Sequence, residues 1–259
     1  MTAIAQTAHV TGRHLRYFLR QPWFVGISLV QPFIWLFLFS QLFRSVTAIP
    51  GFSGSGQYLD YLTPGVVIMT ALFSCGWAGM AIVEDIDRSI IDRFLTMPIH
   101  RSAIVIGLNL YEVVALLVQT LVIAALALLL GARFPGGAVG FGVLVLCAML
   151  IGLSVAAFSD AIALGQPNRE TVIGINTLIT LPLTFLSAAF MPLALVPDWM
   201  ATIAGYNPVD WAVEAGRQAL TSSTPDWSFI LPRVAGLAAL AILTSALATA
   251  SFRSYQRAI

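Results

Sequence analysis

Charged residues cluster in one short stretch, EDIDRSIIDRFLTMPIHR at 84–101, which lies between two long apolar runs. Seven of its 18 residues are charged, although only 10% of the whole chain is charged. Ile86, Ile90 and Phe94 recur at helical spacing, which predicts a short amphipathic helix from about Asp85 to Leu95. Apolar anchors flanked by charges suit docking into a groove on a partner protein. A loop solvated by its own charges is the equally weighted alternative.

Five further residues are candidates for contact with a molecule inside the apolar runs. Glu112 is ionisable, and an ionisable side chain in an apolar span usually faces a cavity, a partner or the membrane boundary. Snorkelling of Glu112 to the boundary is favoured over a role in a polar cavity or in a proton-linked switch. Gln119 and Asn176 are polar, and hydrogen bonding between helices is favoured over lining a path. Phe185 and Met191 are candidates for an apolar gate, with core packing as the favoured alternative.

No constellation typical of catalysis or of metal binding emerges from the sequence. His9, His14 and His100 have no carboxylate or cysteine partners at metal-ligand spacing, and Ser159-Asp160 has no histidine nearby. A P-loop needs a lysine that reaches the nucleotide phosphates, whereas all 13 basic residues of this chain are arginine. The chain therefore cannot supply a standard ATP site.

The composition places these residues in a membrane protein. The chain is 58% hydrophobic and 10% charged, against roughly 45–50% and roughly 25% for soluble domains. Its net charge of +1 gives no excess that would attract a polyanion, so a nucleic-acid partner is not indicated. Cys75 and Cys147 fall inside apolar runs and are predicted to be unpaired apolar side chains.

Each span needs about 20 apolar residues to cross about 30 Å of hydrocarbon. We predict an all-α membrane protein with one transmembrane domain over 1–259. Its six predicted transmembrane helices are Trp23 to Phe43, Leu62 to Val83, Ile104 to Leu130, Val139 to Phe158, Thr171 to Pro192 and Phe229 to Ala250. Gly136 and Gly140 form a GxxxG spacing near the start of the fourth, which fits a turn as well as a packing face.

The arginines predict the orientation of the chain. With both termini cytoplasmic, nine of the 13 arginines lie inside, as expected for loops that carry excess positive charge. Residues 1–22 are predicted to form an interfacial helix on the inner leaflet, because apolar residues share one helical face while Arg13, Arg16 and Arg20 share the other. A solvated tail is the alternative.

The segment 193–228 is predicted to form short re-entrant helices on the outer face. Its prolines break a continuous helix, and its tryptophans favour the headgroup level. Asp198, Asp210, Glu214 and Arg217 make a seventh span unfavourable, because each charge at mid-bilayer costs roughly 2.5–3.5 kcal/mol. Glu214 and Arg217 have the spacing of a helical ion pair.

The order of these elements resembles the permease subunit of type 2 ABC exporters. A basic interfacial segment and two spans precede the charged stretch, which ends in LTMP at 95–98, and four more spans follow it. The segments FLSAAFMP at 185–192, VPDW at 196–199 and Asn207-Pro208 are similar to the daunorubicin-resistance-type branch of that family. The resemblance covers nearly the whole chain.

The resemblance implies a transport subunit that is not itself an enzyme. The charged stretch would be the coupling helix that sits in a cleft of a separate ATPase, with contacts from Arg88, Asp92, Arg93, Phe94, Pro98 and Arg101. Two ATPase subunits, which bind ATP and Mg, and a second permease, identical or paralogous, would complete the assembly, so no cofactor is expected in this chain. Glu112, Gln119, Asn176, Phe185 and Met191 would border the translocation path.

We therefore expect a multi-pass protein of the inner (cytoplasmic) membrane that moves a hydrophobic or amphiphilic compound, drug or lipid-like, outward. Export of lipids, glycolipids or polysaccharides is the alternative cargo class. A membrane-embedded enzyme that modifies lipids and a non-catalytic membrane scaffold are rivals from other classes. The enzyme would turn over its substrate without an ATPase, whereas the scaffold would tolerate replacement of Arg88 or Phe94.

Overall fold

The computed structural model describes residues 22–43, 58–88 and 101–258, with side chains over 30–43, 58–88 and 112–255. These ranges consist of helices and short connections and contain no strand. The helices are α1 Pro22–Leu42, α2 Tyr58–Gly76, α3 Ala78–Asp87, α4 Arg101–Leu129, α5 Gly137–Gly165, α6 Arg169–Phe185, α7 Asp198–Ala204, α8 Pro208–Thr221 and α9 Trp227–Ala258, with a 3₁₀ turn at Leu193–Leu195.

Four stretches among the described residues are long and apolar enough to cross a membrane. They are Tyr58–Asp87, Glu112–Leu129, Gly137–Gly165 and Trp227–Tyr255, and a shorter apolar helix covers Val30–Leu42. The four long stretches match four of the predicted spans. The other two predicted spans correspond to α1 and to α6, which has 17 residues. The count of six transmembrane helices therefore stays a prediction.

The helix ends gather at two opposite faces of the bundle. At one face, which we name the Asp60 face, the backbone N–H of Arg133 donates to Asp60 Oδ1 at 2.7 Å and Phe43 packs on Tyr58. At the other, the Asp87 face, Arg169 pairs with Asp87 at 3.2 Å. Phe252 of α9 packs near that end, in a cluster with α3, α5 and α6. The start of α1 and the end of α9 therefore lie on the same face.

Helix α5 forms the centre of the bundle and packs against α2, α3, α4, α6, α8 and α9. Glycine makes the closest of these approaches possible. A Cβ on Gly140 would stand 2.1 Å from the carbonyl oxygen of Ala219, and the backbone N–H of Gly136 donates to Leu220 O at 2.9 Å. The GxxxG spacing is thus a packing surface for the end of α8.

Two predicted boundaries are wrong in informative ways. The fifth span does not reach Pro192, because α6 ends at Phe185. Near that end, Asn207 Nδ2 donates to the carbonyls of Leu183 and Leu186 at 2.6 and 2.8 Å. A side chain from the start of α8 thus supplies hydrogen bonds to backbone carbonyls at the end of α6. The fourth span does not stop at Phe158, since α5 continues to Gly165.

The charged stretch also begins differently from the expected helix over Asp85 to Leu95. Its first residues continue the membrane stretch, since α3 runs to Asp87 and Arg88 is its C-cap. The remainder, 89–100, and the predicted interfacial helix over 1–21 lie outside the described residues. Between α6 and α9, two short helices and a 3₁₀ turn occupy the segment 193–228. Re-entry of this segment into the membrane stays a prediction.

Candidate functional site

The expected coupling residues are only partly described. Arg88 pairs with Glu84 at 2.5 Å across one helical turn, and both side chains are exposed. Arg101 begins α4, and its side chain is not described. The other four, Asp92, Arg93, Phe94 and Pro98, lie outside the described residues. The neighbouring ion pair of Asp87 with Arg169 is also solvent-exposed, so each pair contributes at most about 1 kcal/mol.

A buried hydroxyl joins the break in the second membrane stretch to α5 and α6. The chain turns at Trp77, between α2 and α3, which frees the carbonyl of Gly76 and the N–H of Gly79. Ser159 Oγ satisfies both, since it donates to Gly76 O at 2.8 Å and accepts from Gly79 N at 3.1 Å. Asn176 Nδ2 also donates to Ser159 Oγ, at 2.9 Å. Asn176 therefore acts here as a link between helices.

The Ser159→Ala variant is expected to lose about 1–3 kcal/mol of stability, because it leaves two buried backbone groups and an amide without this partner. Thermal unfolding in detergent micelles measures the loss. Ser154→Ala is the matched control on the same helix, since Ser154 Oγ donates only to Leu150 O one turn away. Equal melting temperatures of the two variants would contradict a linking role for Ser159.

Three polar side chains inside the bundle face its interior. Gln119 of α4 is 4% exposed, and its Oε1 has no hydrogen-bond partner among the described residues. Asp160 of α5 is 2% exposed, and the same holds for its Oδ2. Glu112, two turns before Gln119, is half-buried. Glu112 and Gln119 therefore lie on the side of α4 that packs against neighbouring helices.

The residues after α6 form a strap over Leu186–Pro192, held from two sides. Phe185 is 56% exposed just before it, and Met191 is half-buried within it. From α2, Tyr58 and Tyr61 donate their hydroxyls to the carbonyls of Phe190 and Ala188 at 2.8 and 3.0 Å. These bonds leave the strap little freedom. Phe185 therefore lies just before, and Met191 within, a segment whose backbone is hydrogen-bonded by α2 at the Asp60 face.

Arg217 of α8 fixes the strap from the other side. Its Nη2 donates to Ala188 O at 2.6 Å, its Nε donates to Tyr61 O at 3.3 Å, and its guanidinium stacks 3.6 Å from the centre of the Tyr61 ring. The predicted pair with Glu214 is confirmed, at 2.5 Å. A single buried cation thus connects α8, α2 and the strap.

Asp210 completes this clamp by accepting the N–H of Ala188 at 2.7 Å. Burial raises the pKa of Asp210 from 3.8 to about 6, and Glu214 adds to the increase, while the bond from Ala188 and the charges of Arg217 and Arg233 oppose it. The folded protein therefore holds this proton more tightly than the unfolded chain does. The stability that Asp210 contributes is greatest at pH values below its pKa of 3.8 in the unfolded chain. It is lost as the pH rises through its folded-state pKa of about 6.

The Asp210→Asn variant keeps an oxygen for the Ala188 bond and does not ionise. It is expected to gain stability relative to the native protein as the pH rises from about 5 to about 8, by about 1–1.5 kcal/mol. Melting temperatures of both proteins across this pH range test it. Asp198→Asn removes an exposed carboxylate and serves as the matched control. A stability difference for Asp210→Asn that changes with pH no more than that of the control would refute the assignment.

Aromatic rings line α1 beside the strap. Trp35, Phe39 and Phe43 follow one another at intervals of one helical turn. The ring centroid of Phe39 lies 4.5 Å from that of Trp35 and 5.4 Å from that of Phe43. Phe190 packs against the first two at 5.2 and 5.5 Å, and Phe185 stacks on Phe190 at 6.2 Å. The candidate gate residue Phe185 thus belongs to an aromatic surface at the Asp60 face.

Sequence reasoning missed Asp160, Asp210, Tyr58 and Tyr61. Asp160 was recognisable as the one carboxylate in the apolar run AAFSDAIALG, which the predicted span ended too early to include. The partners of the other three are distant in sequence and left no local signal. No group of three or more His, Cys, Asp or Glu side chains in the described ranges could hold a metal ion.

Three curated proteins are similar to this chain over most of its length. One is the daunorubicin resistance ABC transporter permease protein DrrB1 of Streptomyces coeruleorubidus, 28% identical over 92% of this chain and 84% of the relative. A putative transport permease, ycf38 of Porphyra purpurea, is 27% identical over 81% of this chain and 71% of the relative. The probable doxorubicin resistance ABC transporter permease protein DrrC of Mycobacterium tuberculosis is 23% identical over 83% of this chain and 76% of the relative.

An independent comparison with a protein-family model gives the same result. The model described as ABC-2 type transporter matches residues 5–221, which include the charged stretch, the Ser159 junction and the clamp around Arg217. The resemblance inferred from the order of the elements is therefore confirmed. The chain belongs to the ABC-2 type transporter family.

Proposed function

We propose that this chain is the permease subunit of an ATP-driven exporter that moves a hydrophobic or amphiphilic compound outward by alternating access. The observation that carries the proposal is the family match over residues 5–221. The apolar stretches that are long enough to cross a membrane support it. Two of the similar proteins have names that refer to resistance to daunorubicin or doxorubicin, which favours small apolar compounds over polysaccharide as the cargo class.

ATP would be hydrolysed by a separate protein. The chain contains no lysine, so it has no P-loop of the usual kind to hold the nucleotide phosphates. Two ATPase subunits would bind ATP and Mg, and two permease chains, identical or paralogous, would enclose the path. The assembly would lie in the inner membrane with both termini in the cytoplasm, which makes the Asp87 face the cytoplasmic one.

The force would enter the permease through the charged stretch. Arg88, Asp92, Arg93, Phe94, Pro98 and Arg101 would contact the ATPase cleft. Movement there would reach α3 first, since α3 ends at Asp87. The bonds of Ser159 with Gly76 and Gly79, and the pair of Asp87 with Arg169, would carry it to α5 and α6.

The path itself would run along the residues that α4 and α6 contribute to the interior. Glu112 and Gln119 would border it in the membrane, with Asn176 closing one wall through its bond to Ser159. Phe185 and Met191 would border its exit at the Asp60 face, where the strap is held by α2 and α8.

Proteoliposomes that contain the permease and its ATPase test this proposal. Phe94→Ala combined with Arg93→Glu is expected to abolish ATP-driven efflux of an amphiphilic dye and its stimulation of ATP hydrolysis. Trp199→Ala combined with Arg133→Glu likewise removes an aromatic ring and reverses an arginine charge, at exposed positions in the short helix α7 and in the α4–α5 connection, and should leave efflux near the native level.

Undiminished efflux in the Phe94 and Arg93 variant would exclude the charged stretch as the coupling element. Turnover of a lipid by the permease without ATP or the ATPase would instead favour a membrane enzyme. ATP-driven export of a fluorescent phospholipid, with no dye efflux, would assign lipid as the cargo.

A further inference from the structure

Two arginines mark the ends of the apolar part of α9. Arg233 lies near the start of the helix, and Arg253 lies 20 residues later, near its end. At 1.5 Å per residue, the two positions are about 30 Å apart along the helix axis, which is about the thickness of the hydrocarbon core of a bilayer. Residues 234–252 between them include no charged residue. In a membrane-spanning α9, each arginine therefore lies at the level of one layer of lipid headgroups.

An apolar stripe runs along α9 from Arg233 toward the middle of the membrane. Leu240, Leu243 and Leu247 follow Arg233 by 7, 10 and 14 residues, a spacing that places these side chains on one side of the helix. Leu243 is 67% exposed and Leu247 is 49% exposed, whereas Leu237 is buried in the bundle. Arg233 thus lies at the edge between the buried face of α9 and a stripe that can contact the chains of a lipid.

The guanidinium of Arg233 is held at the headgroup end of this stripe. It stacks 3.5 Å from the centre of the Phe229 ring, and its Nη1 donates to Phe229 O at 3.1 Å. Phe229 lies one turn nearer the start of α9, at the Asp60 face. These contacts therefore direct the charge away from the membrane core.

The other side of the guanidinium has no partner in the part of the chain that the structure describes. Arg233 Nε is buried without a hydrogen bond, and Nη2, which is not buried, also forms none. Arg233 belongs to none of the ion pairs of the described residues. Asp210 interacts with its charge at longer range, but Asp210 Oδ1 accepts the N–H of Ala188. Nη2 is thus open to an external acceptor, and an anion against this side also offers a partner to Nε.

Aromatic side chains surround this level of α9. Trp227, the first residue of the helix, is 46% exposed, and Tyr206 is 82% exposed. The ring of Trp211 lies against α9 one turn beyond the arginine, since a Cβ on Gly236 would stand 3.1 Å from Trp211 Cζ3. Exposed tryptophan and tyrosine favour the headgroup layer of a membrane. The aromatic residues therefore indicate the same level for this end of α9 as the spacing of the two arginines does.

We propose that Arg233 binds the phosphate of an anionic phospholipid in the leaflet at the Asp60 face. The phosphate accepts from Nη2, and an acyl chain lies along Leu240, Leu243 and Leu247. Lipid is favoured over free phosphate because the cation adjoins an exposed apolar stripe of membrane depth. The site depends only on a membrane-spanning α9, so it is independent of the cargo and of the ATPase.

Photocrosslinking of the protein in phosphatidylcholine vesicles tests this site. The probe is phosphatidylglycerol with a diazirine at the start of one acyl chain, present as a small share of the lipid. Mass spectrometry then measures the crosslinked yield in peptides of 227–240 and in peptides at the other end of α9. Arg233→Gln is expected to lower the yield over 227–240 about fivefold and to leave the other end unchanged. Arg233→Lys, which keeps the charge, should retain more of the yield.

Arg133→Gln provides the matched control, because it removes an exposed arginine from the α4–α5 connection at the same face. It should leave the yield over 227–240 at the native level. A native yield in Arg233→Gln, or an equal loss in Arg133→Gln, would overturn the proposal.

Competition in the native protein tests the recognition of phosphate without any substitution. Added unlabelled phosphatidylglycerol should displace the probe from 227–240. Diacylglycerol with the same chains, which lacks the phosphate, should not, and neither should inorganic phosphate at millimolar concentration. Displacement by diacylglycerol as effective as that by phosphatidylglycerol would exclude recognition of the phosphate. Displacement by inorganic phosphate alone would exclude a lipid site and indicate a site for free anions.

Discussion

Replacing Arg217 with methionine is expected to destabilise the protein by about 3–5 kcal/mol. Arg217 is 8% exposed and bonds the carbonyls of Ala188 and Tyr61 as well as the carboxylate of Glu214. Methionine fills similar space but leaves Glu214 without its partner and two carbonyls without donors, which is the costly way to break a buried ion pair. Thermal unfolding of the purified protein, with the yield of folded protein, measures the loss.

Two matched variants separate the contacts of Arg217 from its charge. Arg217→Lys keeps the charge but lacks the planar group that bonds two carbonyls and stacks on Tyr61, so an intermediate loss is expected. Arg253→Met removes an exposed arginine from α9 and should change stability by less than about 0.5 kcal/mol. If Arg217→Met were as stable as Arg253→Met, the clamp around the strap would contribute nothing to the fold.

The Gly140→Ala variant is expected to lose about 1–3 kcal/mol or more, through crowding of backbone rather than loss of a bond. The added methyl group would stand 2.1 Å from Ala219 O, and a backbone carbonyl cannot turn aside as a flexible side chain can. Helices α5 and α8 must therefore separate locally. Because α8 carries Arg217 and Asp210, we also expect weaker attachment of the strap, measurable as faster hydrogen exchange at the Ala188 amide.

Gly142 provides the control on the same helix. A Cβ at Gly142 meets nothing within 4 Å, so Gly142→Ala should be neutral or should stabilise by up to about 1 kcal/mol through helix propensity. Opposite signs for the two substitutions in one unfolding assay are the expected result. A shift of the same sign and size in both would mean that the close contact with Ala219 does not constrain α5 and α8.

Local sequence patterns predicted the parts of this fold that depend on local composition. Apolar runs of sufficient length predicted α2 to α5 and α9 at the right places, and the three-residue spacing of Glu214 and Arg217 predicted their ion pair. The other contacts of Arg217 were not predictable in this way. Tyr61 lies 156 residues earlier in the chain, and no periodicity in either segment carries information about the other.

The errors have the same origin. The fifth span was extended to Pro192 because the sequence stays apolar there, whereas in the structure Asn207 and Asp210 bond the backbone at and beyond the end of α6. The predicted fourth span ends before Asp160, whereas in the structure α5 continues past this residue, which is 2% exposed. In both cases the difference lies at residues that are buried or bonded by other parts of the chain, which local composition does not report.

The break at Trp77 has a mechanical consequence for the ten residues of α3. A continuous helix from Tyr58 to Asp87 would behave as one rod, and a push at its tip would be passed along its own axis. The turn at Trp77 divides that rod, while Ser159 secures the near end of α3 and Arg169 secures its tip. A displacement at Arg88 would therefore be passed sideways, into α5 and α6, and would reach α2 only at its last residue, Gly76, through the shared Ser159 hydroxyl.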